Sequence, residues 1–274
     1  MTRTVATIFA VCCHLSVLVV LTIFAVVGAA AQGGEIALTP SEHATVVNLI
    51  ATDREAYGQF KFILKTARGA AADQPNPIAW IQTEGKLRGD PVKTQTAESL
   101  MDMPKMLALA WAGSFDPSAD EAATFNAMVK QFLIAWAGVN RSHGDPIDDT
   151  NLDAALTAYD LTRAAYTADE RVTVEAWFRQ VAAAEEQTGR WDAHPKWNNW
   201  TSHRLKIVGL IAFELGDEEM LARVLAAYKD QIEHNLNADG TTYDFLYRDA
   251  LHYHVYDLEP LLSLDTLDDN FCCI

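Results

Sequence analysis

The chain of 274 residues is long enough to bury a full hydrophobic core, and one folded domain behind its first segment is the simplest interpretation. Its 37 acidic and 21 basic residues give a formal net charge of −16, which argues against nucleic acids and anionic membrane surfaces as partners. Cys12-Cys13 and Cys272-Cys273 are adjacent pairs, which neither staple a fold nor match the spacing of a zinc site.

The first segment has the pattern of a secretory signal peptide. Arg3 precedes an apolar run over residues 5–27, and Ala29-Ala30-Ala31 supplies a small-residue cleavage site before Gln32. The run is longer than an ordinary signal-peptide core, so an uncleaved membrane anchor is the alternative. We expect cleavage after residue 31, a mature domain of residues 32–274, and a secreted or periplasmic protein without stable membrane association.

Amphipathic helical patterns fill the rest of the chain, and almost no alternating strand pattern is present. Thr39 with Glu42, and Thr167 with Glu170, match the capping-box pattern that opens a helix. Helices are predicted over residues 40–65, 96–111, 116–136, 151–165, 167–187, 199–216 and 218–235, and again after residue 240. The pattern predicts an all-α fold, and hairpins of such helices can close into an α/α toroid around a central cleft.

The last predicted helix carries a dense set of polar and aromatic side chains. Arg248, His252 and Tyr256 fall at i, i+4 and i+8, so one continuous helix would place them on one stripe. A cation, an imidazole and a phenol on one face can stabilise an anion and move a proton. The alternative is an aromatic core helix with satisfied polar tips, and spacing alone leaves both interpretations open.

A second polar stretch opens the helix predicted over residues 199–216. Asn199, His203 and Lys206 fall at i, i+4 and i+7. An asparagine amide can donate to a substrate carboxylate, and a neutral histidine can take a proton; a capping or surface role is the alternative for His203. Trp197 and Trp200 crowd the same region, where aromatic rings either stack on sugar faces or pack in the core.

These two stretches together resemble the alginate lyase family of polysaccharide lyases. The segment WNNW at residues 197–200 precedes the pattern R-x-x-x-H-Y-H-x-Y at residues 248–256. Asn199 matches the second Asn of the family motif, Arg248 and Tyr256 match its Arg and Tyr, and Trp200 stands where the family has a histidine. The resemblance is strong over residues 190–262 and looser back through the short segments TNL, GDP and TEGKL.

The resemblance implies an incomplete (α/α) barrel and a lyase that cleaves polyuronates by β-elimination. In that reaction Arg248 and Asn199 would neutralise the substrate carboxylate, and Tyr256 would carry the proton with a pKa lowered by the nearby cation. His203 or His252 would assist. The candidates for substrate binding are Trp197, Trp200, Lys206, His252 and Tyr253.

No metal or other cofactor is expected. His252 and His254 lie two residues apart, a spacing that points them away from each other on a helix. The chain also contains no dinucleotide fingerprint, P-loop or nucleophile elbow. An anionic polysaccharide is therefore the expected partner, although a polyuronate enzyme of this charge must concentrate its cations in the cleft. The cleft candidates are Lys61, Lys65, Arg68, Lys196, Arg204, Lys206 and Arg248.

The departure at Trp200 predicts a substrate preference. Tryptophan cannot accept a proton, so the far-face base needed for anti elimination at guluronate is missing at that position. We expect activity on mannuronate-rich alginate or glucuronan, where elimination is syn, with His203 as the alternative far-face base.

A non-catalytic carbohydrate-binding helical scaffold is the alternative function. The family usually continues with further helices, so a truncated C-terminus is one interpretation of the ending.

Overall fold

The computed structural model describes residues 35–115, 118–188, 197–248 and 251–268. The predicted signal peptide at residues 1–31 lies outside these ranges. Within them, none of the helices combines the length and the apolar character needed to cross a membrane.

The described residues form α-helices joined by turns and short 3-10 segments. The helices are α1 (Pro40–Thr52), α2 (Arg54–Ala70), α3 (Pro91–Leu100), α4 (Asp102–Phe115), α5 (Ala119–Val139), α6 (Pro146–Asp149), α7 (Asp153–Thr162), α8 (Ala168–Gln187), α9 (Asn199–Glu214), α10 (Glu218–Asn235), α11 (Tyr243–Arg248) and α12 (Leu251–Asp268). No strand occurs in these ranges, so the predicted all-α class is confirmed. The arrangement is compatible with a toroid, whose closure stays a prediction.

Local capping explains several helix starts. Both predicted capping boxes are present, with Thr39 and Thr167 each accepting from the third residue of its helix. The helix predicted over residues 40–65 is broken, because the Asp53 carboxylate accepts the first backbone N–H groups of α2 and so starts a new helix. The helix predicted from residue 96 begins earlier, at Pro91, and is interrupted at Met101.

Helix α9 lies at the centre of the fold. Nearly every residue between Asn199 and Glu214 is buried, and α9 packs against α8, α10 and α12. A helix buried on all sides is a core element, and its few polar side chains need partners inside the protein. At Gly209 a Cβ atom would lie 2.5 Å from Leu264 and 3.2 Å from Val224, so glycine allows the close approach of α12 and α10.

A buried ion pair fixes α9 to α8. Arg204 Nε donates to Glu185 Oε2 at 2.8 Å, and both side chains are almost fully buried. Burial raises the pKa of Asp149 to about 9, and the neighbouring Glu185 adds to that rise. The Asp149 carboxyl, at the end of α6, therefore keeps its proton at physiological pH, near the carboxylate that pairs with Arg204.

The single helix predicted after residue 240 is two helices in the structure. Helix α11 ends at Arg248 and α12 begins at Leu251. Arg248 therefore does not continue the stripe of His252 and Tyr256, and the predicted three-residue stripe on one helix is wrong. The remaining pair does share one face of α12.

Candidate active site

A cavity of about 380 Å³ opens beside α9, within the size range of small-molecule sites. Apolar side chains from α3 and α4 form part of its lining, and polar side chains from the 3-10 turn after α6, α7, α9 and α12 form the rest. The lining residues are Leu100, Met103, Pro104, Leu107, Thr150, Asn151, Asp153, Ala154, His203, Lys206, Tyr256 and Glu259. Three residues predicted for the site, His203, Lys206 and Tyr256, meet here.

His203 projects from α9 into this cavity and is almost fully buried. Its Nδ1 lies 2.9 Å from the Thr150 hydroxyl oxygen, while Nε2 has no hydrogen-bond partner among the described residues. Burial lowers the His203 pKa to about 3, the Lys206 charge lowers it further, and the Tyr256 backbone carbonyl opposes both. The imidazole is therefore neutral at physiological pH.

Tyr256 lies against His203, with ring centroids 4.2 Å apart and planes at 45°. Burial raises the pKa of the Tyr256 phenol to about 12, and the negative charges of Glu259, Asp145 and Asp148 add to the rise. The prediction that a nearby cation lowers this pKa is wrong, because carboxylates from α12 and the α6 region surround the ring. The phenol keeps its proton at physiological pH.

Lys206 supplies a buried cation to the cavity. Its Nζ donates to Asp153 Oδ2 at 2.8 Å, and the lysine side chain is 3% exposed against 40% for the aspartate. A carboxylate partner that is partly in solvent can move aside when another anion enters. Lys206 is thus available to an acidic sugar in a way that the buried Arg204 is not.

Asn199 and Arg248 meet at Asp244, and neither lines the cavity. The Asn199 backbone N–H donates to Asp244 Oδ2 at 2.7 Å, and Arg248 Nε lies 3.1 Å from Asp244 Oδ1. The Arg248 guanidinium also lies 4.3 Å from the centroid of the Tyr253 ring. The Asn199 side-chain oxygen is buried without a hydrogen-bond partner in the part of the chain that the structure describes.

The remaining predicted binding residues surround this region without lining the cavity. His252 is exposed and stacks on Tyr256, with centroids 6.0 Å apart and planes at 14°. Trp197 stacks on His234 at 4.3 Å, and Trp200 is half-buried. The aromatic groups expected at sugar subsites therefore do not line the cavity, and their contact with sugars stays a prediction.

Among the residues it describes, the structure does not cluster basic side chains around the cavity as expected. Among the candidates that the described ranges include, Lys206 alone lines the cavity. Arg204 is buried against Glu185, and Arg68 pairs with Glu121 on the surface. The described cavity lining contains one lysine and two acidic side chains, Asp153 and Glu259, so a polyanion would have to rely on few, well-placed cations.

One group within the described ranges has a geometry that could hold a metal ion. Ligand atoms of His143, Asp145 and Asp148 all lie within 4.8 Å of one another. Asp148 accepts hydrogen bonds from Thr83, and Asp145 caps α6. The same two aspartates contribute to the raised pKa of Tyr256, so this group sets part of the electrostatics of the cavity.

Sequence reasoning missed three residues of this region. Asp244 lies four residues before Arg248, and that spacing is a helical ion-pair signal that could have identified it. Thr150 belongs to the TNL segment of the looser resemblance, but nothing in its spacing indicates a contact with His203. Glu259 lies three residues after Tyr256, and this helical spacing could have placed it on the same face.

The described fold is all-helical, and a neutral imidazole, a phenol and a buried lysine line one cavity. The family model described as Alginate lyase matches residues 53–267 of the chain. The chain therefore belongs to the alginate lyase family, and polysaccharide lyase is its general class. Neither the curated proteins nor the solved structures gave a significant match.

Proposed function

We propose that this protein cleaves a polyuronate by β-elimination in the cavity lined by His203 and Tyr256. The observation that carries the proposal is the contact between these two rings, a potential proton acceptor beside a potential proton donor. Elimination at a uronate removes the C5 proton, breaks the C4–O bond and leaves an unsaturated uronic acid at the new end. It requires an acceptor near C5, a donor near O4 and stabilisation of the charge that develops on the carboxylate.

The proton steps follow from the charge states of the two residues. His203 Nε2 takes the C5 proton, the C5–H electron pair becomes the C4–C5 double bond, and O4 leaves with a proton from the Tyr256 phenol. The proton then passes from the His203 imidazolium to the Tyr256 phenolate, which restores both groups. Both residues begin neutral and need no prior ionisation, because burial lowers the pKa of His203 and raises that of Tyr256.

Cations and amides near the cavity are proposed to neutralise the substrate carboxylate. Lys206 is the cation inside the cavity, and the substrate carboxylate takes the place of Asp153 on its ammonium group. Asn199 lies one turn before His203 on α9, and Asp244 ties it to Arg248. We propose that Asn199 and Arg248 bind the same carboxylate or that of the adjoining sugar.

The substrate follows from the placement of the acceptor and the donor. We propose that the two groups, whose ring centroids lie 4.2 Å apart, act from the same side of the sugar, which would make the elimination syn. Mannuronate and glucuronate carry the C5 hydrogen and the C4 oxygen on one side, whereas guluronate carries them on opposite sides. The proposed substrates are mannuronate-rich alginate and glucuronan. His252, Tyr253, Trp197 and Trp200 are proposed to contact flanking sugars.

The direct test is incubation with alginate and with glucuronan. Product formation is measured by the ultraviolet absorbance and the mass of the unsaturated product. His203→Gln should abolish product formation, since glutamine cannot take a proton. His252→Gln is the matched control, because His252 stacks on Tyr256 but does not line the cavity, and it should affect mainly KM. No unsaturated product from any polyuronate would refute the proposal, and binding without turnover would instead favour a carbohydrate-binding scaffold.

Export from the cytoplasm is part of the same proposal, since polymeric uronates are met outside the cell. It rests on the leader pattern at residues 1–31. N-terminal sequencing of the protein recovered from a secreting host should begin at Gln32. A mature protein that retains Met1 would contradict cleavage and favour the membrane-anchor alternative.

A further inference from the structure

The hydrogen bond between Thr150 and His203 joins the 3-10 turn after α6 to the central helix. Thr150 Oγ1 lies 2.9 Å from His203 Nδ1, and this is the only hydrogen bond of the Thr150 hydroxyl within the described residues. The turn itself is held in place, because the Asn151 side chain donates to the carbonyls of Ile147 and Asp148. The hydroxyl is therefore fixed against one nitrogen of the imidazole.

We propose that Thr150 is a positioning residue that holds His203 in the tautomer protonated at Nδ1, which leaves a lone pair on Nε2. The proposal deepens the assignment of His203 as the proton acceptor and rests on it only for its catalytic consequence. A threonine hydroxyl can either accept from Nδ1–H or donate to a bare Nδ1, so the choice between the two depends on the surroundings.

The surroundings favour acceptance by Thr150. If the hydroxyl donated to Nδ1, the hydrogen would move to Nε2, which is buried without a hydrogen-bond partner in the described part of the chain. A buried N–H without an acceptor is rarer and more costly than an unused lone pair. If Thr150 accepts instead, its own hydrogen faces the cavity that it lines, where water or a sugar oxygen can accept it.

One neighbouring group acts in the other direction. The Tyr256 backbone carbonyl favours a proton on His203, although it makes no hydrogen bond of ordinary geometry with Nε2. The Lys206 charge acts against a second proton on the ring. Among the described residues, the Thr150 hydrogen bond is the contact of ordinary hydrogen-bond geometry to the His203 ring.

The test measures the tautomer directly and needs no turnover. Nuclear magnetic resonance of the ring nitrogens in ¹⁵N-histidine-labelled protein distinguishes a protonated from an unprotonated nitrogen, and His203→Gln assigns the signals. We expect Nδ1 protonated and Nε2 unprotonated in the wild type and in Thr150→Ser, which keeps the hydroxyl. In Thr150→Val, which keeps the shape, we expect a mixture of the two tautomers. Nε2 protonated in the wild type, or a Thr150→Val spectrum like that of the wild type, would overturn the proposal.

Kinetics provide the second readout. Thr150→Val should lower kcat roughly 10- to 100-fold with little change in KM, as for other supporting hydrogen bonds, and Thr150→Ser should restore most of the rate. An unchanged kcat in Thr150→Val would contradict the positioning role. If the wild type turned over no polyuronate while its Nδ1 was protonated, the lyase proposal would fail and the tautomer assignment would stand.

Discussion

His203 and Tyr256 come from helices far apart in the chain, yet their ring centroids lie 4.2 Å apart in one cavity. The contact places an imidazole nitrogen without a hydrogen-bond partner beside a phenol that retains its proton. In the proposed reaction the two groups act on a bound sugar from one side. The predictions below follow from this relationship and from the charges around it.

Tyr256→Phe should abolish turnover and spare binding. The change removes one oxygen and keeps the ring against His203, so packing should survive. Loss of a required proton donor should cost about 10²–10⁴-fold in kcat. Tyr253→Phe is the matched control, since Tyr253 lies under Arg248 and does not line the cavity. Near wild-type activity in Tyr256→Phe would show that another group carries the proton, with Tyr253 the first to examine.

The pH dependence of the rate distinguishes the proposed role of Tyr256 from that of a phenolate base. The pKa of His203 is lowered to about 3 and that of Tyr256 is raised to about 12, so neither titrates between about pH 5 and pH 9. We expect no step in kcat/KM from these two groups over that range. A tenfold rise for each pH unit across the range would indicate that the phenolate is the active form and would contradict the assignment.

Lys206 and Asp153 should have opposite effects on substrate affinity. Lys206→Met removes the cavity cation and should raise KM roughly tenfold or more, as expected for the loss of a charge-assisted hydrogen bond. Asp153→Asn removes the anion that competes for the ammonium group and should lower KM for a polyuronate. Isothermal titration with an oligouronate checks both variants. Tighter binding in Lys206→Met, or weaker binding in Asp153→Asn, would contradict the role given to the pair.

The stability of the protein should decrease with rising pH because of Glu214. Burial raises the pKa of this carboxyl to about 9 and Asp160 adds to the rise, while Arg163 at 3.1 Å lowers it only in part. The folded state therefore holds a proton that the unfolded state releases near pH 4.5, the ordinary pKa of a glutamate side chain. Stability from this group is complete below that pH and is lost as the pH rises toward 9, by up to about 1.4 kcal/mol for each pH unit.

Glu214→Gln tests that slope. Glutamine cannot ionise, so urea unfolding of the variant at several pH values should show a smaller fall in the free energy of unfolding than the wild type. The exposed Glu219 gives a matched control, because Glu219→Gln should leave the slope as it is. An equal slope in the wild type and in Glu214→Gln would show that the carboxyl is already ionised in the folded protein.

Local sequence patterns predicted much of the fold. The two capping boxes and the bounds of α10 could be predicted because each depends on residues within a few positions of one another. The break between α11 and α12 could not, since residues 249–250 are neither glycine nor proline. The Asp244 carboxylate links the end of α11 to the start of α9, because it pairs with Arg248 and accepts a hydrogen bond from the Asn199 backbone N–H.

The site was predictable in its residue types and not in its electrostatics. His203 and Lys206 share α9 as their spacing indicated, and Tyr256 joins them because α12 packs on α9. The raised pKa of Tyr256 depends partly on Asp145 and Asp148, which periodicity within one helix cannot bring near it. The Thr150 contact is equally non-local, so only the packed structure reveals it.

The most direct measurement compares initial rates on polymannuronate, glucuronan and polyguluronate at equal sugar concentration. The rates are monitored by the ultraviolet absorbance of the unsaturated product. Same-side placement of His203 and Tyr256 predicts faster cleavage of polymannuronate or glucuronan and little cleavage of polyguluronate. Faster cleavage of polyguluronate would contradict the account, because anti elimination needs a base on the far face. The two acidic residues that line the cavity, Asp153 and Glu259, would then be the ones to test as that base.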